Sequence, residues 1–176
     1  ETLKASNVLG TQEALRLAAQ SRTKPLHFVS TLIVAGRQVA VEGISFEDGP
    51  LPETDSFVTG YVQTKWVAER LVNLAQERGI PTTVFRLAFV GGHSQTGAGN
   101  HKDMIWSLLR GCIQLGANFE MPDLINMVPA DYVSRSIVHL SRLPESLGRR
   151  FHLTNPVRFA WNGVIDLLRD MGYPLE

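Results

Sequence analysis

Apolar and polar positions follow two periods along this chain, one typical of amphipathic helices and one of buried strands. Between residues 3 and 19 the apolar side chains recur every three or four positions, which predicts a helix with one apolar face. The same spacing recurs in four later segments, at residues 60–78, 101–116, 130–142 and 159–172. Short apolar or β-branched runs lie between the helices and are predicted strands, at residues 26–31, 81–90, 126–128 and 151–154.

Strands that alternate with helices predict an α/β fold. The helices then serve as right-handed crossovers between parallel strands. Residues 26–31 and 82–87 are apolar or β-branched, so we expect both to be buried strands of a parallel sheet. Residues 36–58 are rich in glycine, proline and acidic residues, which is typical of a surface loop.

The helix predicted at residues 60–78 is of special interest because it carries the candidate chemistry. Gly79 follows it at the position where a helix C-terminal glycine belongs. Its apolar side chains are expected on one packing side, formed by Trp66, Val67, Leu71 and Leu74.

Composition excludes some classes of protein without naming one. Seventeen basic residues balance seventeen acidic ones, so no net field would draw the chain to nucleic acid or to a membrane. No apolar run approaches the roughly 20 residues of a membrane span. A single cysteine cannot form an internal disulfide, which is compatible with a reducing cytosol and with a cytoplasmic location.

Tyr61 and Lys65 carry the candidate chemistry, because residues four apart on a helix share one face. An ammonium ~4 Å from a phenol, at an effective dielectric of about 20, is worth about 4 kcal/mol and lowers the phenol pKa towards neutrality. The phenol could then act as a proton donor and acceptor at working pH. Thr31 ends a predicted strand, where ligands of open parallel sheets gather, and would add a hydroxyl for a substrate carbonyl.

A bare Tyr-x-x-x-Lys spacing also arises by chance as a helix-surface pair. The order of the surrounding segments favours the functional interpretation. A strand ends in Ser30-Thr31, a long loop follows, and the strand after the helix carries Phe85-Arg86-Leu87.

Further motifs span essentially the whole chain, at residues 7–11, 28–31, 60–69, 92–97, 110–116, 128–133 and 151–156. With them the chain resembles the extended short-chain dehydrogenase/reductase family. More narrowly, it resembles the thioester reductase domains that end nonribosomal peptide and polyketide synthases, which are related to those of carboxylic acid reductases. Arg-Gly-Cys-Ile-Gln-Leu-Gly at 110–116 and Phe-His-Leu at 151–153 are specific to that group rather than general family features.

The resemblance implies an activity, a cofactor and a partner. Hydride from NADPH would reduce an acyl or peptidyl thioester, carried by a phosphopantetheinyl carrier protein, to an aldehyde or further to an alcohol. The family's catalytic triad falls on Thr31, Tyr61 and Lys65. Residues implied to contact NADP are Asn7, Ser30, Tyr61, Lys65, Leu87, Ala88 and Phe89.

Two features depart from the family pattern. The strand, glycine-rich turn and helix that hold the NADP pyrophosphate in this family would precede Glu1. The glycines of residues 91–99 do not replace them, because no phosphate-loop lysine follows and the run comes after the wrong strand. Leu87-Ala88 also stands where the family often has Pro-Gly.

These departures shape the expected architecture. We expect the later half of a Rossmann-like parallel sheet together with a small helical substrate-binding lobe. Residues 1–92 would form the catalytic side, and residues 93–176 the lobe with the final Rossmann elements interleaved. Because the chain begins inside a predicted helix, we expect an excised piece that is inactive alone and that self-associates through a free strand edge.

Two alternatives stay open from the sequence. One is an extended short-chain dehydrogenase that acts on a nucleotide sugar, as an epimerase or dehydratase. The other is a non-catalytic structural or carrier-docking module. The acyl group, the extent of reduction and the parent synthase are not readable from these residues.

Other polar and apolar residues have simpler interpretations. The five histidines and Cys112 show no metal-ligand spacing, so no metal is expected and Cys112 is expected to be a buried, inert thiol. Apolar residues at helical spacing are more often core than ligand-lining, and this applies to a potential acyl channel of Met104, Trp106, Leu108, Phe119 and Met121.

Overall fold

The computed structural model describes residues 2–36, 46–53, 59–121 and 124–176. One continuous helix, α1, comprises Thr2–Lys4, a wider π-helical turn at Ala5–Leu9, and Gly10–Ala19. The later elements, in chain order, are β1 (Leu26–Thr31), α2 (Gly60–Glu77), β2 (Thr82–Leu87), β3 (Phe89–Val90), α3 (Met104–Leu115), β4 (Leu124–Ile125), β5 (Met127–Val128), α4 (Ala130–Ser141), β6 (Arg150–Leu153), β7 (Phe159–Ala160) and α5 (Trp161–Asp170). Short 3₁₀ turns lie at Leu32–Ala35 and Pro144–Ser146.

The chain forms two compact units. The first contains residues 1–88 and 134–153, and the second contains residues 89–133 and 154–176. The second boundary falls within α4. The boundary of the first compact unit lies near the predicted one at residue 92, but the roles assigned to residues 1–92 and 93–176 stay predictions.

A parallel three-stranded sheet, in the order β1-β2-β6, organises the first unit. The alternating α/β fold with a parallel, Rossmann-like sheet is therefore confirmed. Central strand β2 is buried from Thr82 to Arg86, as its β-branched and apolar composition predicts.

Strand β1 departs from the prediction of a fully buried strand. It is buried only at Ser30 and Thr31, and the Val29 side chain is 41% exposed. The physical reason is its place at the edge of the described sheet, where it pairs with β2 alone. Its register sets Ser30 opposite Arg86, and Thr31 opposite Leu87.

Helix α2 begins and ends where the sequence indicates, but its buried face is different. The Thr59 hydroxyl accepts from Val62 N at its start, and Gly79, with φ of +91°, follows its end. The predicted packing side is wrong at Val67 and Leu74, which are exposed. The buried residues of the helix are Val62, Ala68, Glu69 and Val72.

The reason for the error is a charged residue at the centre of the packing face. Counting apolar residues places Glu69 outside the core, whereas its carboxylate is fully buried against Arg86 of β2. Trp66 remains on the packing side, since it packs against Val34 and Val62 while its indole N–H donates to Pro52 O.

Of the predicted surface loop at residues 36–58, residues 46–53 are described and contain neither helix nor strand. The remainder, residues 37–45 and 54–58, lies outside the described residues.

The second unit packs around Trp161, which is fully buried at the start of α5. Leu108 and Met121 pack against its core cluster, and the Phe119 ring lies 5.0 Å from the Trp161 ring. The core interpretation of these three residues is thus confirmed. Cys112 belongs to the same cluster, which confirms the predicted burial of its thiol.

Short strands frame this core, with β3 parallel to β5 and β4 antiparallel to β7. Helix α3 starts later than expected, because the Asp103 carboxylate caps it by accepting from Ile105 N, and it ends at left-handed Gly116. Residues 159–160, expected to be helical, form β7 instead.

We predict that the corrected face of α2 shows in stability. Replacing fully buried Val72 by Ala should lower the free energy of unfolding by about 2 kcal/mol, since two buried methyl groups are lost and a cavity remains. Leu74→Ala should cost less than about 1 kcal/mol, because the Leu74 side chain is 42% exposed. Urea unfolding of both variants checks this, and a larger loss for Leu74→Ala would contradict the assigned face.

Candidate active site at the end of strand β1

Lys65 connects helix α2 to strand β1. Its ammonium donates to Val29 O at 2.7 Å and lies 4.9 Å from the centroid of the Phe28 ring. Both partners belong to β1, so the side chain of Lys65 runs from the first turns of α2 to the strand that ends in Thr31. An ammonium has three N–H donors, so this bond leaves donor capacity for a ligand.

Burial and a neighbouring charge act on Lys65 in opposite directions. Desolvation lowers the pKa of its ammonium below 10.5, and the carboxylate of Glu69, one helical turn away, raises it. Desolvation is the larger effect. The amine is therefore held partly dry and beside a negative charge, an environment that occurs often at catalytic sites.

Tyr61 and Thr31 lie on the two elements that Lys65 joins. Tyr61 is in the first turn of α2, one turn before Lys65, and its side chain is 44% exposed. Thr31 is the last residue of β1, two positions after the carbonyl that Lys65 binds, and it is 9% exposed. The described contacts bring Lys65 to this strand end, and convergence of all three groups on one substrate atom stays a prediction.

Asn7 braces the same part of α2 from helix α1. Its side-chain N–H donates to Thr64 Oγ1 at 3.0 Å, and the Thr64 hydroxyl donates to Tyr61 O. Asn7 lies in the π-helical turn, and such widened turns occur frequently at functional sites. This contact with the Tyr61–Lys65 helix gives Asn7 a supporting role, while its predicted contact with NADP stays a prediction.

Ser30 has an inward partner. Its hydroxyl is buried and donates to Glu69 Oε2 at 2.6 Å. The hydroxyl therefore contributes to the interior of the first unit, and its predicted contact with NADP stays untested, as for the other cofactor residues.

The remaining predicted cofactor residues follow β2. Leu87 ends that strand, and Ala88 N donates to Leu153 O of β6. Phe89 starts β3 and packs in the core of the second unit. These positions follow the strand order of the sheet, and their contacts with a nicotinamide stay predictions.

Sequence reasoning missed a buried polar network beside the site. Glu69 Oε1 accepts from Arg86 Nε at 3.0 Å and from Arg86 Nη2 at 2.6 Å, and both side chains are almost completely inaccessible. Arg86 Nη1 contacts His152 Nε2 at 3.2 Å. An arginine inside an otherwise apolar strand was the available signal, because a buried guanidinium requires a buried acid.

His152 is the neutral member of this network. Burial and then the Arg86 charge lower the pKa of its imidazole below 6.5. Because a guanidinium can only donate, His152 Nε2 must be the accepting nitrogen. Its backbone N–H donates to Glu47 Oε1 at 2.7 Å.

The glycine-rich segment of residues 91–99 has its own packing in the second unit. A Cβ on Gly92 would stand 2.5 Å from Gly97 O, and one on Gly91 would stand 2.8 Å from the Met127 sulfur. Asp131 accepts from Ser94 N and Ser94 Oγ, and the backbone bond is the main reason that its pKa falls to about 2. These glycines permit close approach of protein atoms, which differs from the open cradle of a dinucleotide turn.

Two further features are absent from the described residues. They contain no group of three or more His, Cys, Asp or Glu side chains arranged to hold a metal ion. Nor do they contain a helix both long enough and apolar enough to cross a membrane.

Residues 1–137 match the model of the NAD_binding_4 family, described as Male sterility protein. The chain belongs to this family. The resemblance to short-chain dehydrogenases and thioester reductases is thereby confirmed at the level of the fold family and its reductase relatives.

Among curated relatives of this NAD_binding_4 chain, a linear gramicidin synthase of Brevibacillus parabrevis is 41% identical over 175 residues. The match covers 99% of the present chain but 3% of the synthase. An isonitrile lipopeptide synthase of Streptomyces coeruleorubidus is also 41% identical, over 182 residues that cover 99% of this chain and 12% of that protein. The chain thus spans a small part of either relative.

Solved structures include the terminal R domain from the myxalamid PKS-NRPS pathway, with 45% identity and a TM-score of 0.90, which covers 98% of this chain and 43% of that one. A thiolation-reductase di-domain from an archaeal nonribosomal peptide synthetase is 25% identical, with a TM-score of 0.78, and covers 97% of this chain and 38% of that one. The present chain therefore spans less than half of either reductase structure.

For this NAD_binding_4 chain we predict that His152 makes stability fall with acid. Its folded-state pKa lies below the unfolded value of 6.5, so unfolded chains bind a proton that the folded protein does not. Stability is complete above that value and declines as pH falls towards the folded-state pKa. In His152→Gln the difference in unfolding free energy between about pH 7.5 and about pH 5.5 should shrink.

Urea unfolding at the two pH values checks this prediction. The residual slope should come from His27, whose pKa burial also lowers. An unchanged pH dependence in His152→Gln would show that the imidazole is not the responsible group.

Proposed function

We propose that this chain is the catalytic part of a reductase domain that reduces a carrier-bound acyl thioester with NADPH. The observation that carries the proposal is the bond from the Lys65 ammonium to Val29 O, which ties the Tyr-x-x-x-Lys helix to the strand ending in Thr31. Support comes from the 45% identity to a PKS-NRPS terminal R domain. Membership of an NAD-binding family supports a nicotinamide cofactor.

The donor set at the site suits the nicotinamide ribose. Lys65 uses one N–H on Val29 O, and the other two could donate to ribose hydroxyls. Tyr61 is exposed one turn earlier on the same helix, where its phenol could meet the same ligand. The pyrophosphate would need a glycine turn that the described residues do not provide, because the packed glycines of 91–99 have no room for it.

NADPH, when bound, supplies the hydride that adds to the thioester carbonyl carbon. As negative charge develops on the carbonyl oxygen, Thr31 Oγ1 donates a hydrogen bond to it and Tyr61 Oη donates the proton. The Lys65 ammonium favours the resulting phenolate. The hemithioacetal then breaks its carbon–sulfur bond, which releases an aldehyde and the carrier thiol.

A carrier protein is the proposed source of the substrate. The similar thiolation-reductase di-domain is a structure of a carrier and a reductase in one chain. We infer that this chain also receives its thioester on a phosphopantetheine arm. The preference for NADP over NAD, the aldehyde product and the inactivity of the isolated chain are parts of the same proposal.

Removing the Tyr61 hydroxyl should slow the reaction strongly. In the full-length protein, Tyr61→Phe should lower kcat for NADPH oxidation with an acyl-thioester substrate by about 10²- to 10⁴-fold, because the proton donor is lost. Tyr132→Phe is the matched control, since Tyr132 is equally exposed at 44% and belongs to α4. A Tyr61→Phe rate equal to wild type would refute the mechanism.

The substrate class should be a carrier-bound thioester. We expect full-length protein to oxidise NADPH faster with an acyl-carrier thioester than with any nucleotide sugar, and faster than it oxidises NADH. Initial rates of the loss of reduced-nicotinamide absorbance measure all three. Turnover confined to nucleotide sugars would favour the epimerase or dehydratase alternative and overturn the proposal.

A further inference from the structure

The Glu69 carboxylate joins three elements inside the first unit. It projects from α2, accepts twice from Arg86 of β2 through Oε1, and accepts from the Ser30 hydroxyl of β1 through Oε2. Arg86 and Glu69 are 1% and 0% exposed at the side chain. The carboxylate is thus held by three short, directional bonds in the interior of the unit.

This network is in register with the candidate site. Glu69 follows Lys65 by one helical turn, and Ser30 lies between Val29 and Thr31. Lys65 bonds to the carbonyl of Val29, and Glu69 bonds to the hydroxyl of Ser30. Two successive turns of α2 are therefore fastened to two successive residues of β1, directly before Thr31.

We propose that Glu69, held by Arg86 and Ser30, is a positioning residue that fixes the Lys65 ammonium and the end of β1 in their working geometry. The consequence for catalysis rests on the proposed function, whereas the placement of Lys65 does not. Glu69 acts through Lys65 and Thr31 and does not itself contact the substrate.

Packing alone does not require an ion pair at this place. Apolar side chains of similar volume often fill such a site with equal or greater stability, because two buried charges must lose their hydration. What an apolar pair cannot supply is direction. A fork of guanidinium bonds and a serine bond fix the rotation and the height of α2 on the sheet.

The charge of Glu69 acts on Lys65 in the same sense. Its carboxylate raises the pKa of the ammonium against the larger lowering by burial. Losing Glu69 should therefore leave Lys65 both less fixed and more often neutral, and each change makes the amine more reactive towards an acylating reagent.

Trace labelling of lysines in the full-length protein tests the placement directly. The protein is acetylated briefly with acetic anhydride at constant pH, and the extent at Lys65 is measured by mass spectrometry relative to exposed Lys102. In the apolar variant Ser30→Ala/Glu69→Leu/Arg86→Met, the Lys65 to Lys102 ratio should rise about three- to tenfold. An unchanged ratio in the folded variant would overturn the proposal.

A matched control separates positioning from general loss of a buried hydrogen bond. The Thr83 hydroxyl on β2 is also buried and donates to Ser146 O at 3.0 Å. Thr83→Val removes that bond and should leave the labelling ratio as in wild type. If the triple variant does not fold, Ser30→Ala alone decides, with a rise of about two- to threefold expected and no rise overturning the proposal.

Turnover gives the second readout. In the folded triple variant kcat with the acyl thioester should fall about 10- to 100-fold while KM changes less than about threefold, since a misplaced donor affects the reaction more than binding. Wild-type kcat with a normal labelling ratio would overturn the inference. Absence of thioester turnover in the wild type would refute the proposed function only, because the labelling arm still decides where Lys65 is held.

Discussion

The ion pair between Glu69 and Arg86 is the constraint on which the arrangement of the first unit depends. Taking both charges out of water costs several kcal/mol for each ion, and only a well-formed pair with further hydrogen bonds offsets that cost. Leaving either charge alone inside would cost about 3–5 kcal/mol. Helix α2 can therefore pack on the sheet in a register that brings Glu69 to Arg86, and in few others.

That constraint explains why α2 does not present its most apolar side to the sheet. Val67 and Leu74 stay exposed, while a carboxylate occupies the centre of the buried face. Once Glu69 is placed, the helical period puts Lys65 one turn earlier over β1. The orientation of the candidate catalytic face is thus a consequence of a bond located elsewhere in the core.

The sequence predicts best where a local pattern has one physical solution. A run such as Thr83-Val84-Phe85 suits only a strand buried on both faces, and Gly79 and Gly116 end helices because their positive φ angles favour glycine. It also placed the candidate residues correctly along the elements, because Thr31 ends a strand and Tyr61 begins a helix. The contacts among them, by contrast, depend on how α2 is rotated about its axis.

Prediction failed where a distant partner decides the outcome. Burial of β1 depends on its neighbours in the sheet, which its own six residues do not specify. The π-helical turn around Asn7 and the strand at Phe159–Ala160 are likewise set by tertiary contacts, since Asn7 reaches Thr64 and Phe159 pairs with Ile125. Arg86 was the one residue whose local setting indicated a hidden partner, because a guanidinium inside an apolar strand has to be neutralised.

The charges of the network alternate in a way that suits chemistry near neutral pH. From the site inwards there is a cation at Lys65, an anion at Glu69, a cation at Arg86 and a neutral imidazole at His152, whose pKa Arg86 helps to lower. A protonated His152 would add a third cation around one carboxylate and draw Glu69 away from Lys65. By keeping His152 neutral, Arg86 leaves the negative charge of Glu69 shared between one guanidinium and one ammonium, and it is this balance that favours a charged Lys65 despite its burial.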